Sequence, residues 1–311
     1  MENKEVFQRY EGNPVITADM LDYSANTIFN PAATIFRNEV LLLNRVEERS
    51  GFSHFTKATS EDGFTNWQIE SKPTLKPEPK IFPEEEWGIE DPRITFLPEI
   101  GKYAIAYTAY SRRGPVVSLA LTEDFEKFER MGAVTEPNDK DAALFPEKID
   151  GRWAMIHRYM ATGDKKGHMW VSFSDNFLVW KDKQILLKAR GDGWWDANKI
   201  GLSPQPIKTE KGWLIMYHGV RVTANGGLYR LGLALLDLEK PTRVLARTRE
   251  WILGPKEEYE RVGDVNNVVF PCGWIHNEGD DTIVIYYGCA DTCVGIATAK
   301  MKDVLKCLQK H

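Results

Sequence analysis

Residues 87–95 read WGIEDPRIT, with two adjacent carboxylates, Glu90 and Asp91, ahead of Pro92 and Arg93. Other polar residues stand beside apolar runs in the same manner. Asn30 lies in IFNPAAT, Lys140 and Asp141 in NKDAALF, Lys199 in ANKIGLS, and Asn266 and Asn267 in VNNVVF. A second group closes apolar runs: Arg45 in LLLNRVE, Arg158 in AMIHRYM, His218 in IMYHGV and Asp291 in YYGCADT. Two carboxylates flanking a bond, here Asp91 and Asp291, are what glycoside hydrolysis needs. Arg45, Lys140, Arg158 and Lys199 are cationic and His218 can become so, which is more positive charge than hydrolysis requires. Convergent Lys and Arg side chains suit phosphate or another oxyanion. Phosphate is already anionic at neutral pH, so as a nucleophile it needs no protein base. One carboxylic acid to protonate the leaving oxygen is then enough. The residue types therefore favour phosphorolysis over hydrolysis, provided that the side chains converge. Neighbours on an extended strand point to opposite faces, so only one of Glu90 and Asp91 is expected to face a substrate.

The elements that must bring these residues together are strands. TSEDGFTNWQ, LTEDFEKFER, FSDNFLVWKD and the degenerate LLDLEKPTRV place Asp62, Asp124, Asp175 and Asp237 at intervals of 51 to 62 residues. Two apolar, strand-like runs precede each Asp, and a fifth unit closes the chain with VVFPCGWI, TIVIYYG and CVGIATAK. Asp, Asn and Gly at such turns bond their own backbone or accept unusual dihedrals. Helical periodicity is confined to MKDVLKCLQK at 301–310. Five all-β units of this length predict a five-bladed β-propeller, the whole of 1–311 forming one catalytic domain. A large β-sandwich is the competing architecture, and the regular period argues against it. Pro-rich SKPTLKPEPKIFPEEE (71–86) reads as a surface loop leading into WGIEDPRIT.

The bulk numbers exclude some classes of partner. With 40 basic and 45 acidic residues, the net charge of −5 leaves no electrostatic footprint for nucleic acid or an anionic membrane. No run of 18 apolar residues suggests a membrane span, and MENKEVFQRY has no secretory apolar stretch. Cys272, Cys289, Cys293 and Cys307 form no CxxC pair and have no histidine at zinc-ligand spacing. They read as buried or idle thiols in a reducing cytoplasm, with no metal or cofactor expected. Segments 1–12 and 301–311 are candidate contact elements for a homo-oligomer.

Taken in order, FNPAATIF, NRVEERSGFSHFTKATSEDGFTNW, WGIEDPRIT, NKDAALFPEKIDGRWAMIHR, ANKIGLSPQPIKTEKGWLIMYHGV, YRLGLALLDLEKPTRVLAR and NNVVFPCGWI with YYGCADTCVGIAT resemble the β-mannoside phosphorylases of glycoside hydrolase family 130. The resemblance runs from about residue 13 to residue 300. It implies a single five-bladed propeller and an inverting reaction of a β-mannoside with inorganic phosphate as co-substrate, giving α-mannose 1-phosphate. It implies Asp91 as the general acid, its proton reaching the glycosidic oxygen through a mannose hydroxyl, and leaves Glu90 a structural role. Lys140, Arg158, Lys199 and His218 match the family's phosphate-binding set. Many relatives carry Arg at the position of Lys140, and a lysine gives up the bidentate fork. Asn30, Arg45, Asp291 and Tyr229 match residues that hold the mannose. Arg93 has two open roles, clamping the carboxylates or touching substrate. The linkage is open between β-1,4 (manno-oligosaccharide or mannosyl-N-acetylglucosamine), which is the reading adopted, and β-1,2. Loops 160–168, 188–196 and 221–227 are expected to choose the acceptor. A β-mannosidase on the same fold, and a propeller that only binds a glycan or a protein, are the alternatives.

Overall fold

The computed structural model describes residues 5–161, 163–224 and 226–310. Thr162 and Asn225, in two of the loops expected to choose the acceptor, and the terminal residues 1–4 and 311 lie outside it. The chain forms five antiparallel sheets that follow one another in sequence as the blades of a propeller. Blade 1 comprises Thr27–Phe36, Glu39–Glu47, Ser53–Ser60 and Gln68–Ile69. Blade 2 comprises Ile89–Leu97, Lys102–Ser111, Gly114–Thr122 and Glu129–Ala133. Blade 3 runs Asp139–Leu144, Trp153–Tyr159, Met169–Ser174 and Lys181–Leu187. In blade 4 the inner strand is split into Lys199–Leu202 and Ile207–Thr209, both paired with Gly212–Thr223, and Gly226–Leu236 and Val244–Arg247 follow. Blade 5 has Val269–Asn277, Thr282–Cys289 and Cys293–Lys300.

The ends of the chain complete the outer blades. Gln8–Arg9 pairs with Cys293–Lys300 and becomes the fourth strand of blade 5, while Gln309–Lys310 pairs with Val244–Arg247 of blade 4. Parts of both terminal segments therefore satisfy sheet edges within the chain, where an unpaired edge would invite other strands. The helix read over 301–310 is shorter, Met301–Lys306, and gives way to that strand. No helix among the described residues is long and apolar enough to cross a membrane.

Each blade interface buries its own apolar layer, for example Leu43, Phe55, Ile105 and Tyr107 between blades 1 and 2, and Met216, Leu231, Ile285 and Val269 between blades 4 and 5. The strands read as continuous apolar runs because both of their faces are covered. The repeating turn is an Asx turn. Asp62 accepts from the Phe64 and Thr65 amides, Asp124 from Glu126 and Lys127, and Asp237 from Glu239 and Lys240. In blade 3 the residue is Asn176, which accepts from Leu178 and Val179, and not Asp175. A hydroxyl two residues earlier marks the register in blades 1 to 3 (Ser60, Thr122 and Ser174) and selects Asn176. The 71–86 loop is anchored more deeply than a surface loop. Fully buried Glu85 accepts from the Tyr107 hydroxyl at 2.9 Å and pairs with Arg130.

The blade closure carries a buried charge pair. Arg9 holds both oxygens of fully buried Glu260 at 2.8 and 2.9 Å, and the Tyr287 hydroxyl donates to the same carboxylate at 2.8 Å. Removing one partner of such a pair leaves an uncompensated charge in the interior. Arg9→Ala is expected to lower the unfolding free energy by about 3 kcal/mol in a urea titration.

Candidate active site

Three inner strands carry the same irregularity. The ladder shifts register between Phe29 and Ala32, between Glu90 and Arg93, and between Lys140 and Ala143. At each shift one Asn or Asp takes a left-handed backbone: Asn30 at φ 46°, Asp91 at φ 51° and Asp141 at φ 55°. Asn and Asp tolerate this region better than other non-glycine residues, and such a bulge re-aims a side chain. All three side chains are buried at one cavity of about 140 Å³. On the adjoining strand, Arg45 lies opposite Phe29, Arg158 opposite Lys140 and His218 opposite Gly201, and all three line the cavity. Lys199 begins the inner strand of blade 4, Tyr229 comes from its third strand, and Asp291 from the blade 5 turn between Cys289 and Cys293. Thus all nine of the residues expected to act line a single space, with Glu90 and Asp141 beside them.

Strand alternation does not separate Glu90 from Asp91. The bulge breaks the period of two, both carboxylates line the cavity, and both meet Arg45 at 3.2 Å. Asn266 and Asn267 fall in the loop before the blade 5 strand and are not among the cavity's lining residues. In their place an apolar wall is supplied by Val265, Val268 and Phe270. Val268 and Phe270 stand two apart, which is the spacing of one strand face, so NNVVF carried that signal.

Arg93 is fully buried beneath the cavity. Its Nε donates to the Ser203 carbonyl at 2.6 Å, Nη2 to the Leu202 carbonyl at 3.0 Å and Nη1 to the Asp91 carbonyl at 2.9 Å. It ties the inner strand of blade 2 to the break in blade 4 and fixes the Asp91 backbone, without gripping the Asp91 carboxylate. Two glycines permit the close approaches here. A Cβ on Gly288 would lie 1.9 Å from Asn30 Oδ1, and one on Gly201 would lie 2.3 Å from Asp141 Oδ2.

The charges fall into two halves. On the side of blades 1, 2 and 5, Asp91 Oδ1 accepts from Asn30 Nδ2 at 2.8 Å and Arg45 Nη1 at 3.2 Å, and Oδ2 has no protein partner among the described residues. Burial alone would raise the Asp91 pKa, but Arg45, Lys140 and Arg93 outweigh it and hold the carboxyl below its usual range. Asp291 goes the other way. Burial, and after it the Asp91 charge, push it up to about 7 against the pull of Arg45. Asp291 therefore holds its proton up to about neutral pH while Asp91 is ionised. On the side of blades 3 and 4 stand Lys140, Arg158 and Lys199 around Asp141, which takes the Arg158 Nε at 2.6 Å. Burial, followed by the Arg158 charge, lowers the Lys199 pKa. Burial also pushes His218 down to about 4 despite Asp141 at 3.4 Å, so at neutral pH His218 is a neutral hydrogen-bonding group and not a cation.

Two other places were weighed against this cavity. The His157 ring joins Asp139 at 2.7 Å and Ser172 at 2.8 Å, the composition of a nucleophilic triad. All three are buried, so the array ties three strands of blade 3 and offers no access to a substrate. A larger surface groove of about 920 Å³ lies beside Arg9, Arg230 and Trp251. Arg9 there is already paired with Glu5 and Glu260. Among the described residues, no three His, Cys, Asp or Glu are placed to hold a metal ion.

The comparisons with known proteins agree over nearly the whole chain. The model of glycoside hydrolase family 130, described as beta-1,4-mannooligosaccharide phosphorylase, matches residues 1–310. The beta-1,4-mannooligosaccharide phosphorylase of Ruminococcus albus is 34% identical over 99% of this chain and 92% of its own length. The 1,2-beta-oligomannan phosphorylase of a Thermoanaerobacter species is 36% identical over 91% of this chain and 93% of its own. Among solved structures, the beta-1,2-mannobiose phosphorylase of Listeria innocua in complex with beta-1,2-mannobiose superimposes with a TM-score of 0.87 at 31% identity, covering 96% of this chain and 98% of that one.

The raised Asp291 pKa has a consequence for stability. Between about pH 4 and 7 the unfolded chain has released this proton and the folded chain keeps it. Stability from this group is therefore full below the unfolded value and is lost as pH rises through the folded one. Asp291→Asn has no proton to release, so across that window its stability is expected to fall less with pH than the wild type's. Urea midpoints at pH 4.5 and 7.5 for both proteins check this, and parallel pH dependences would contradict it.

Proposed function

The chain belongs to glycoside hydrolase family 130, and on that premise we propose that it is an inverting β-mannoside phosphorylase. It transfers a mannosyl unit to inorganic phosphate and releases α-mannose 1-phosphate. The observation that carries this reading is the divided cavity, with ionisable carboxylates on one side and Lys140, Arg158 and Lys199 on the other. Three cations around one carboxylate leave room for the charge of a phosphate dianion. A hydrolase needs a carboxylate base on that side to activate water, and against the effect of burial Arg158, His218 and Arg93 hold the Asp141 carboxyl well below its usual range, which makes it a weak base.

In this reading the mannose sits between Asn30, Arg45, Asp291 and Tyr229, and phosphate sits against Lys140, Arg158, Lys199 and His218. Phosphate attacks the anomeric carbon from the face opposite the leaving oxygen. Asp91 is the general acid, its proton passing through a hydroxyl of the bound mannose. A bound anion raises the proton affinity of nearby carboxylates, and Asp91 and Asp291 then titrate together. The proton that Asp291 holds below about pH 7 is available to the pair when phosphate binds. The neutral His218 can donate to a phosphate oxygen, or gain a proton when the anion arrives.

The favoured substrate class is a β-1,4-linked manno-oligosaccharide or mannosyl-N-acetylglucosamine. The β-1,4-specific relative supports this, because its match extends over 99% of the chain. A β-1,2-linked mannoside is the second reading, supported by 36% identity to the 1,2-beta-oligomannan phosphorylase. Product analysis on β-1,4 and β-1,2 mannosides, with and without phosphate, separates these and the β-mannosidase alternative. Sugar phosphate is expected only when phosphate is present. Free mannose released in phosphate-free buffer, with no sugar phosphate on adding phosphate, would overturn the reading. Asp91→Asn is expected to lose phosphorolysis by about a thousandfold while still binding mannoside in calorimetry. Undiminished turnover would remove Asp91 from the mechanism.

A further inference from the structure

Asp141 is set into the cationic half of the cavity in an unusual way. It occupies one of the three left-handed bulges, its side chain is 1% exposed, and it lines the cavity. Oδ2 takes the Arg158 Nε at 2.6 Å and lies 3.4 Å from His218 Nε2. Oδ1 accepts no hydrogen bond, and its nearest charged neighbour is Arg93 Nη2 at 3.5 Å. A carboxylate can accept about four hydrogen bonds, so this one has spare acceptor capacity in a place built for an anion. Burial alone would favour its neutral form, but Arg158, His218 and Arg93 hold it ionised, so it can only accept. A bare carboxylate facing an anion is repulsive unless the anion brings a proton. Inorganic phosphate keeps at least one hydroxyl at neutral pH. Sulfate, of the same shape and charge as hydrogenphosphate, has none.

We propose that Asp141 is the specificity residue of the anion half, accepting the hydroxyl hydrogen of hydrogenphosphate and thereby rejecting oxyanions that carry no proton. Binding Arg158 through Nε also leaves Nη2 of that guanidinium to meet the anion's unprotonated oxygens, while Nη1 lies 3.5 Å from Met160 Sδ. The inference rests on the phosphate reading above and adds to it the form of phosphate bound and the residue that selects it. Sites built to hydrogen-bond a hydroxyl reject analogues lacking it by large factors.

The test is competition between inorganic phosphate and sulfate at constant ionic strength, by calorimetry and by inhibition of sugar-phosphate formation. In the wild-type protein, sulfate is expected to bind at least about a hundredfold more weakly than phosphate. Asp141→Asn supplies an amide donor in place of the acceptor. Provided that it melts cooperatively, it is expected to bring the two anions within about tenfold, with phosphate weakened and sulfate strengthened. Sulfate binding within tenfold of phosphate in the wild type would overturn the proposal, whether or not the variant folds. An unchanged ratio in a folded variant would do the same. Failure of the phosphate reading looks different: neither anion would bind, mannose would be released without phosphate, and the role of Asp141 would fall with it.

Discussion

The left-handed bulge near the start of the inner strands is the constraint on which the site depends. An inner strand of a propeller is covered on both faces by neighbouring blades, so its side chains are committed to apolar packing. Apart from Lys199 at the start of the blade 4 strand, the inner-strand side chains given polar roles reach the cavity at or beside an interruption of the ladder. Asn30, Asp91 and Asp141 make that interruption three times, in successive blades, with φ values within ten degrees of one another. The cost of a left-handed non-glycine residue is of order 1–2 kcal/mol each, and the five blade interfaces fix the surroundings firmly enough to hold it. Arg93 secures the second bulge from below by bonding the Asp91 carbonyl and two carbonyls of blade 4.

Electrostatics then give the bulge residues different characters. Asp91 has Arg45 and Asn30 on one oxygen and is held ionised, while Asp291, a weaker competitor for the same Arg45, is pushed up to about 7. Asp141 is committed to Arg158. In the proposed reaction the same residue type would serve as acid, as proton holder and as acceptor for the anion, according to which cation faces it. Pairs of titratable groups driven apart by their surroundings are the mark of an acid–base site.

Much of this was readable in the chain. The Asx turns at Asp62, Asp124 and Asp237 carry the blade period, and the two apolar runs before each become the second and third strands of its blade. The nine residues given roles by the resemblance reach the one cavity, because blade starts and the neighbouring strand ends meet at the same end of a propeller, whereas Asn266 and Asn267 stay outside its lining. What escaped the sequence is what a bulge or a distant blade decides. Alternation fails at Asp91, so Glu90 also faces the cavity. The turn in blade 3 is made by Asn176 because Ser174 sets its register. Arg93 was open between clamping the carboxylates and touching substrate, yet its hydrogen bonds go to carbonyls, two of them more than a hundred residues away. His218 counted as a cation until burial made it neutral. Gln8–Arg9 could not be assigned to blade 5, because nothing local marks a strand whose partner lies at the far end of the chain.

The central claim is that an anion held by blades 3 and 4 attacks the sugar from the face opposite the acid on blade 2. Direct observation of the first product tests it. Phosphorus and proton NMR, started on adding the protein to a β-mannoside in phosphate buffer, should show an α-configured mannose 1-phosphate as the first new species, formed in step with the released acceptor. A β-configured sugar phosphate, or free mannose with the inorganic phosphate signal unchanged, would contradict the account.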